Sequence, residues 1–126
     1  MRPVLLVDDE EIFIFIMSQT LKTIVSDLEI LTAHHGKEAI QLLENLVNND
    51  LDTPSIIFLD INMPVMNGFD FLKAYNGMKG QKDNIKIVMV SSSNHSSDIQ
   101  RAKAEGVNDF LLKPVDEKML SKFFLD

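Results

Sequence analysis

Five short apolar runs, each stopping at a polar residue, constrain this chain more than any other feature. They are Pro3 to Val7 (PVLLV), Leu28 to Ala33, Ser55 to Leu59 (SIIFL), Ile85 to Val90 (IKIVMV) and Asn108 to Leu112. Most read as nearly unbroken stretches without polar alternation, the pattern of strands covered on both faces. Between them lie segments of helical periodicity. A first helix is expected from about Glu10 to Ser26, with Phe13, Ile16, Met17, Leu21 and Ile24 on its inner face, Ile14 on the flank and Phe15 outward. Gly36 opens a second, carrying Ala39, Ile40, Leu43, Leu46 and Val47. Asn67-Gly68 opens a third, ending in the Gly77 to Gly80 region. Ser97 and Gln100 match a capping box for a fourth, which Gly106 closes, and Asp116 caps a fifth, with Val115 and Leu120 as its hydrophobic staple. Strands alternating with helices predict an α/β sandwich around a parallel sheet, with an α+β arrangement as the alternative.

The length of 126 residues suits one domain, expected to span 1–126. No apolar run reaches the roughly 20 residues of a membrane span, and the stretch behind Arg2 is too short for a signal-peptide core. The absence of cysteine excludes a disulfide framework and thiolate chemistry, and points to the cytoplasm. A formal charge of −7 argues against nucleic acid as a partner.

In open parallel sheets, ligands gather beyond the carboxyl ends of the strands. Here those ends bear Asp8 and Asp9, Asp60, Ser91 and Lys113. Three converging carboxylates repel unless a cation joins them, and Mg²⁺ favours a few carboxylate oxygens. One aspartate could merely cap the first helix, but a doublet facing a third acid exceeds that need. Asp60 can act as a nucleophile on a phosphoryl donor. Mg²⁺, the Lys113 ammonium and the Ser91 hydroxyl would then neutralise the transferred group from separate sides. His34, His35 and His95 lack the spacing of zinc ligands and are expected at the surface.

The segments VLLVDDE, IIFLDINMPVMNGFD, IVMVSSS and GVNDFLLKPV, in that order, resemble the receiver domain of two-component response regulators across essentially the whole chain. The resemblance implies a flavodoxin-like, doubly wound five-stranded parallel sheet of order 2-1-3-4-5 with five helices. It implies Asp60 as phosphoacceptor, Asp8 and Asp9 as Mg²⁺ ligands together with the backbone carbonyl of Asn62, and Lys113 beside the phosphoryl group. Ser91 and Phe110 become a switch pair, Phe110 standing where the family often has tyrosine. The Lys113–Pro114 bond matches one that is cis in the family, and Asn62 and Ser93 occupy positions that tune hydrolysis. The expected partners are a sensor histidine kinase or histidine phosphotransfer protein and a downstream protein target. The expected state is a monomer or weak dimer, with no membrane partner. The domain is expected to take part in its own phosphorylation and dephosphorylation without being a turnover enzyme. With nothing after the last helix, output is expected through binding another protein or by passing the phosphoryl group onward. The segment from Asn48 to Pro54 reads as a surface insertion.

Two rival readings are weaker. A haloacid-dehalogenase-type phosphatase wants a second acid two residues after its nucleophile, where this chain has Asn62. A flavin-binding module wants a glycine- and hydroxyl-rich loop after the first strand, where this chain has four consecutive acids.

Overall fold

The computed structural model describes residues 2–78, 84–92 and 95–125. Its strands are β1 (Val4–Val7), β2 (Ile30–Ala33), β3 (Ile56–Asp60), β4 (Lys86–Ser91) and β5 (Asp109–Leu112). The helices are α1 (Glu11–Ile24), α2 (Gly36–Asn48), α3 (Gly68–Asn76), α4 (Ser96–Ala104) and α5 (Glu117–Ser121), with a 3₁₀ turn over Lys122–Phe124. All strand pairs are parallel, in the order β2-β1-β3-β4-β5. This is the expected doubly wound α/β sheet.

Because successive strand side chains point to opposite faces, each buried strand feeds two cores. Leu5, Val7, Ile57, Leu59, Ile87 and Met89 pack with Ala39, Leu43, Phe71, Leu72 and Ala102 of α2, α3 and α4. Val4, Leu6, Ile56, Phe58, Val88 and Val90 pack with Met17 and Leu21 of α1 and Leu120 of α5. Burying one such aliphatic side chain stabilises the fold by about 1.5–3 kcal/mol, so both layers contribute to holding the sheet between the helices.

The inner face of α1 departs from the expected one. Ile16 is 53 % exposed, and Ile14 packs into the core beside Phe13, Met17, Leu21 and Ile24. At 3.6 residues per turn, Ile16 lies roughly 110° from the centre of that stripe and Ile14 only about 50°. Phe15 faces outward as expected, with Ile12 beside Ile16 on the exposed side.

At α4 the anticipated capping box does not form. The helix starts at Ser96, with His95 in the extended cap position, so Ser97 is already helical and cannot act as a cap. Gly106 does close the helix, with φ of 89°. Asp116 caps α5 by accepting from the Met119 N–H at 2.8 Å. Leu28 is buried but precedes β2 instead of belonging to it. Gly80, within the expected end of α3, lies outside the described residues; the helix stops at Asn76, with Gly77 as its cap.

Candidate functional site

β1, β3, β4 and β5 end side by side, and the ladder fixes where each terminal side chain falls. Val7 pairs with Leu59, Asp60 with Val90 and Ser91 with Leu112. Asp8, Asp60, Ser91 and Lys113 therefore emerge at one edge of the sheet within a residue or two of a common level.

Backbone contacts lock the surrounding loops. The Gly68 N–H donates to the Ile61 carbonyl at 2.8 Å, tying the start of α3 to the end of β3. Asn67 caps α3 through a reciprocal box with Asp70. The Gly36 N–H donates to the Met66 carbonyl at 3.1 Å, which anchors the same loop to α2. Within it, the Met66 N–H donates to the Pro64 carbonyl at 2.7 Å across Val65, whose φ is 69°. That is a γ-turn with positive central φ, a strained conformation for a β-branched residue. The Lys113 N–H donates to the Ser91 carbonyl at 2.8 Å, joining β5 to β4 just before the cis Lys113–Pro114 bond.

One carboxylate oxygen each from Asp8, Asp9 and Asp60 lies within 4.8 Å of the others. Asp8 and Asp60 are buried, Asp9 exposed. Among the described residues this is the one group of three acidic or imidazole side chains close enough to share an ion. Lys113 Nζ bonds Asp8 Oδ2 at 2.9 Å, meets Glu10 Oε1 at 3.3 Å and stands 3.8 Å from Asp60 Oδ1. The Glu10 N–H donates to Asp8 Oδ1 at 2.9 Å.

Burial and the neighbouring Asp8 charge push Asp60 up to about 7, with a smaller push from Asp9. Lys113 and the Asn62 backbone N–H pull in the other direction without cancelling them. Burial alone would lower Lys113, but its contacts with Asp8, Asp60 and Glu10 outweigh that and raise it. The lysine is a fixed cation, yet one ammonium does not balance the acids around it. A hard divalent ion fits this donor set of carboxylates with a rim open to water.

Ser91 is fully buried at the end of β4, beside the other site residues. Phe110 is half-buried on β5, over a cleft lined by Ile99, Lys103 and Val107 next to α4. Asn62 sits at the exposed mouth, and Ser93 lies outside the described residues. His34 faces Glu11 and Glu38 at 3.9 and 3.6 Å, and His35 Nδ1 accepts from the Glu38 N–H to cap α2.

Two residues at this site escaped the sequence reading. In the sequence Glu10 is one acid in a run of four, and Phe13 belongs to the inner face of the first helix. Phe13 presents its ring to Lys113 Nζ at 4.1 Å from the centroid. Their nearness at the start of the first helix was the available signal.

A family model described as the response regulator receiver domain matches residues 4–124. The chain is similar to the two-component response regulator ORR5 of Oryza sativa, 35 % identical over 119 residues, covering 94 % of this chain and 83 % of that one. It is also similar to a chemotaxis protein CheY homolog of Campylobacter jejuni, 32 % identical over 118 residues, covering 94 % and 85 %. Among solved structures, a two-component response regulator from Cytophaga hutchinsonii superposes with a TM-score of 0.87 at 29 % identity, covering 97 % and 92 %. Sheet order, strand-end chemistry and these relatives agree: the chain belongs to the response regulator receiver domain family, a signalling module of two-component systems.

Proposed function

We propose that Asp60 accepts a phosphoryl group from a phosphohistidine of a sensor kinase or histidine phosphotransfer protein, and that the modified domain switches a protein-binding surface. The observation that carries this reading is the buried Asp60 carboxylate at the end of β3, facing Lys113 across 3.8 Å. In the transfer, a carboxylate oxygen of Asp60 attacks phosphorus in line. The bond from phosphorus to the donor nitrogen breaks, and the imidazole leaves with the electron pair and then takes up a proton. Lys113 neutralises charge on the phosphoryl oxygens, and Ser91 supplies a hydroxyl from the neighbouring strand end. Mg²⁺, held by Asp8, Asp9, Asp60 and the backbone carbonyl of Asn62, would supply the remaining neutralisation of charge when bound.

Motion of Ser91 toward the phosphoryl group would open space for Phe110 to turn inward, altering the cleft beside α4. Without a hydroxyl, Phe110 signals by position only. We place the domain in the cytoplasm, consistent with a chain that has no cysteine. Among the described residues, no helix is long and apolar enough to cross a membrane.

The test is the intact mass after incubation with acetyl phosphate and Mg²⁺, for the native chain and Asp60→Asn. One added phosphoryl group that requires both Mg²⁺ and Asp60 is expected. An adduct that persists in Asp60→Asn would refute the assignment. If no adduct accumulates, beryllofluoride binding separates a short-lived acyl phosphate from a site that does not accept the group.

A further inference from the structure

The first turn of α1 reaches the site by a route that helix formation does not explain. Glu10 occupies the cap position of α1, but its side chain makes no capping hydrogen bond. It extends across to Lys113 Nζ instead, at 3.3 Å. Three residues on, the Phe13 ring meets the same ammonium at 4.1 Å from the centroid, well inside cation–π range. Glu10 stands in the extended cap position just outside α1 and Phe13 in the first turn of the helix, so the carboxylate and the ring both reach the ammonium from the N-terminal end of α1. With Asp8 at 2.9 Å they hold the ammonium on the α1 side of the pocket. Asp60 Oδ1, at 3.8 Å, stands beyond hydrogen-bond reach.

We propose that Glu10 and Phe13 are positioning residues that hold the Lys113 ammonium back from Asp60 in the resting domain. An incoming phosphoryl group must compete with them for the lysine, and this competition slows phosphorylation. The inference rests on the reading of Asp60 as acceptor. Glu10 is largely exposed, so its hold is weak and screened by salt. A contact of that kind, or a partly exposed cation–π pair, corresponds to roughly a two- to five-fold effect on a rate. Such a contact adjusts the rate of a step without blocking it.

Two measurements test this. In the unphosphorylated protein, the ε-methylene protons of Lys113 should show an upfield ring-current shift. That shift should vanish in Phe13→Leu and shrink in Glu10→Gln as the ammonium drifts from the ring. With acetyl phosphate as donor, both variants should raise the maximal phosphorylation rate roughly two- to five-fold with little change in KM. A Glu10→Gln effect confined to KM and abolished by salt would mean simple repulsion of the donor, and would overturn the proposal. Unchanged or lower maximal rates in both variants would overturn it too, as would a native Lys113 with no ring-current shift. A native chain that takes up no phosphoryl group would refute the Asp60 reading instead, and the ring-current measurement would still judge the clamp.

Discussion

The backbone carbonyl of Asp60 lies 2.5 Å from the point where a side chain on Gly68 would place its first carbon. The start of α3 is thus packed directly against the backbone of the central carboxylate. The Gly68 N–H donating to the Ile61 carbonyl maintains this approach. Glycine is required here by space alone.

Gly68→Ala should therefore shift the end of β3 as well as α3. Overpacking of this kind costs about 1–3 kcal/mol, readable as a lower urea midpoint with an unchanged slope. Phosphorylation by acetyl phosphate should slow in the same variant, because the Asp60 carboxylate moves with its backbone. A variant with native stability and native rate would show that the loop yields freely.

The titration of Asp60 gives a signed prediction for the metal-free protein. Its carboxyl has the ordinary value of 3.8 in the unfolded chain and about 7 in the folded one. Between those values the native state holds the extra proton, so stability falls as pH rises from about 4 to about 7 and then levels off. Asp60→Asn lacks this penalty. A shift of this size carries about 4 kcal/mol, of which solvent screening removes roughly half, so in EDTA the variant should exceed the native chain by about 2 kcal/mol near pH 8, and the gap should close toward about pH 4. Parallel stability curves for the two proteins would contradict the burial argument.

Lys113→Met removes the cation nearest both buried carboxylates. Acetyl phosphate labelling followed by intact mass should show phosphorylation slowed roughly 100-fold, the scale for losing one charge-stabilising donor. A rate near that of the native chain would remove Lys113 from the chemistry.

Val65 occupies a backbone conformation that a β-branched side chain resists, with 80 % of its surface exposed. Glycine enters a γ-turn of positive φ with no side chain to clash, offset in part by its extra entropy in the unfolded state. Val65→Gly should stabilise the domain by about 1 kcal/mol in urea unfolding. A loss of stability would mean that the valine side chain makes a compensating contact.

Ile12, Phe15 and Ile16 form an exposed apolar surface on α1, beside the site. Phe15→Ala should slow transfer from a cognate phosphohistidine protein about tenfold, the scale of an apolar anchor lost from an interface. Transfer from acetyl phosphate should be unchanged. Equal effects on both donors would exclude a docking role.

The strand ends were legible because burial on both faces makes each run of apolar residues stop where chemistry starts. Asp8, Asp60, Ser91 and Lys113 could be placed from that alone. Less visible were contacts set by how helices rotate and side chains reach. Ile14 and Ile16 differ by only two positions, and the tilt of α1 decides which is buried. Arg2 stands in the sequence only as the residue before the first apolar run, yet its guanidinium bonds the Thr53 and Pro54 carbonyls at 3.0 and 2.8 Å and anchors the loop before β3. His35 read as a surface residue and caps α2. Glu10 could not be told apart from its acidic neighbours until the position of Lys113 was known.

Lys113 meets Asp8 across 105 residues of sequence. During synthesis the acids of β1 and β3 emerge long before their cation, and β5 joins at the margin of the sheet beside β4 alone. A nascent chain that has already paired its central strands thus has crowded carboxylates but not the lysine that answers them. On the proposed reading of Asp60 as acceptor, a chain made only as far as β4 would lack the cation that neutralises the incoming group and would be poorly equipped to draw phosphoryl groups from the donor pool.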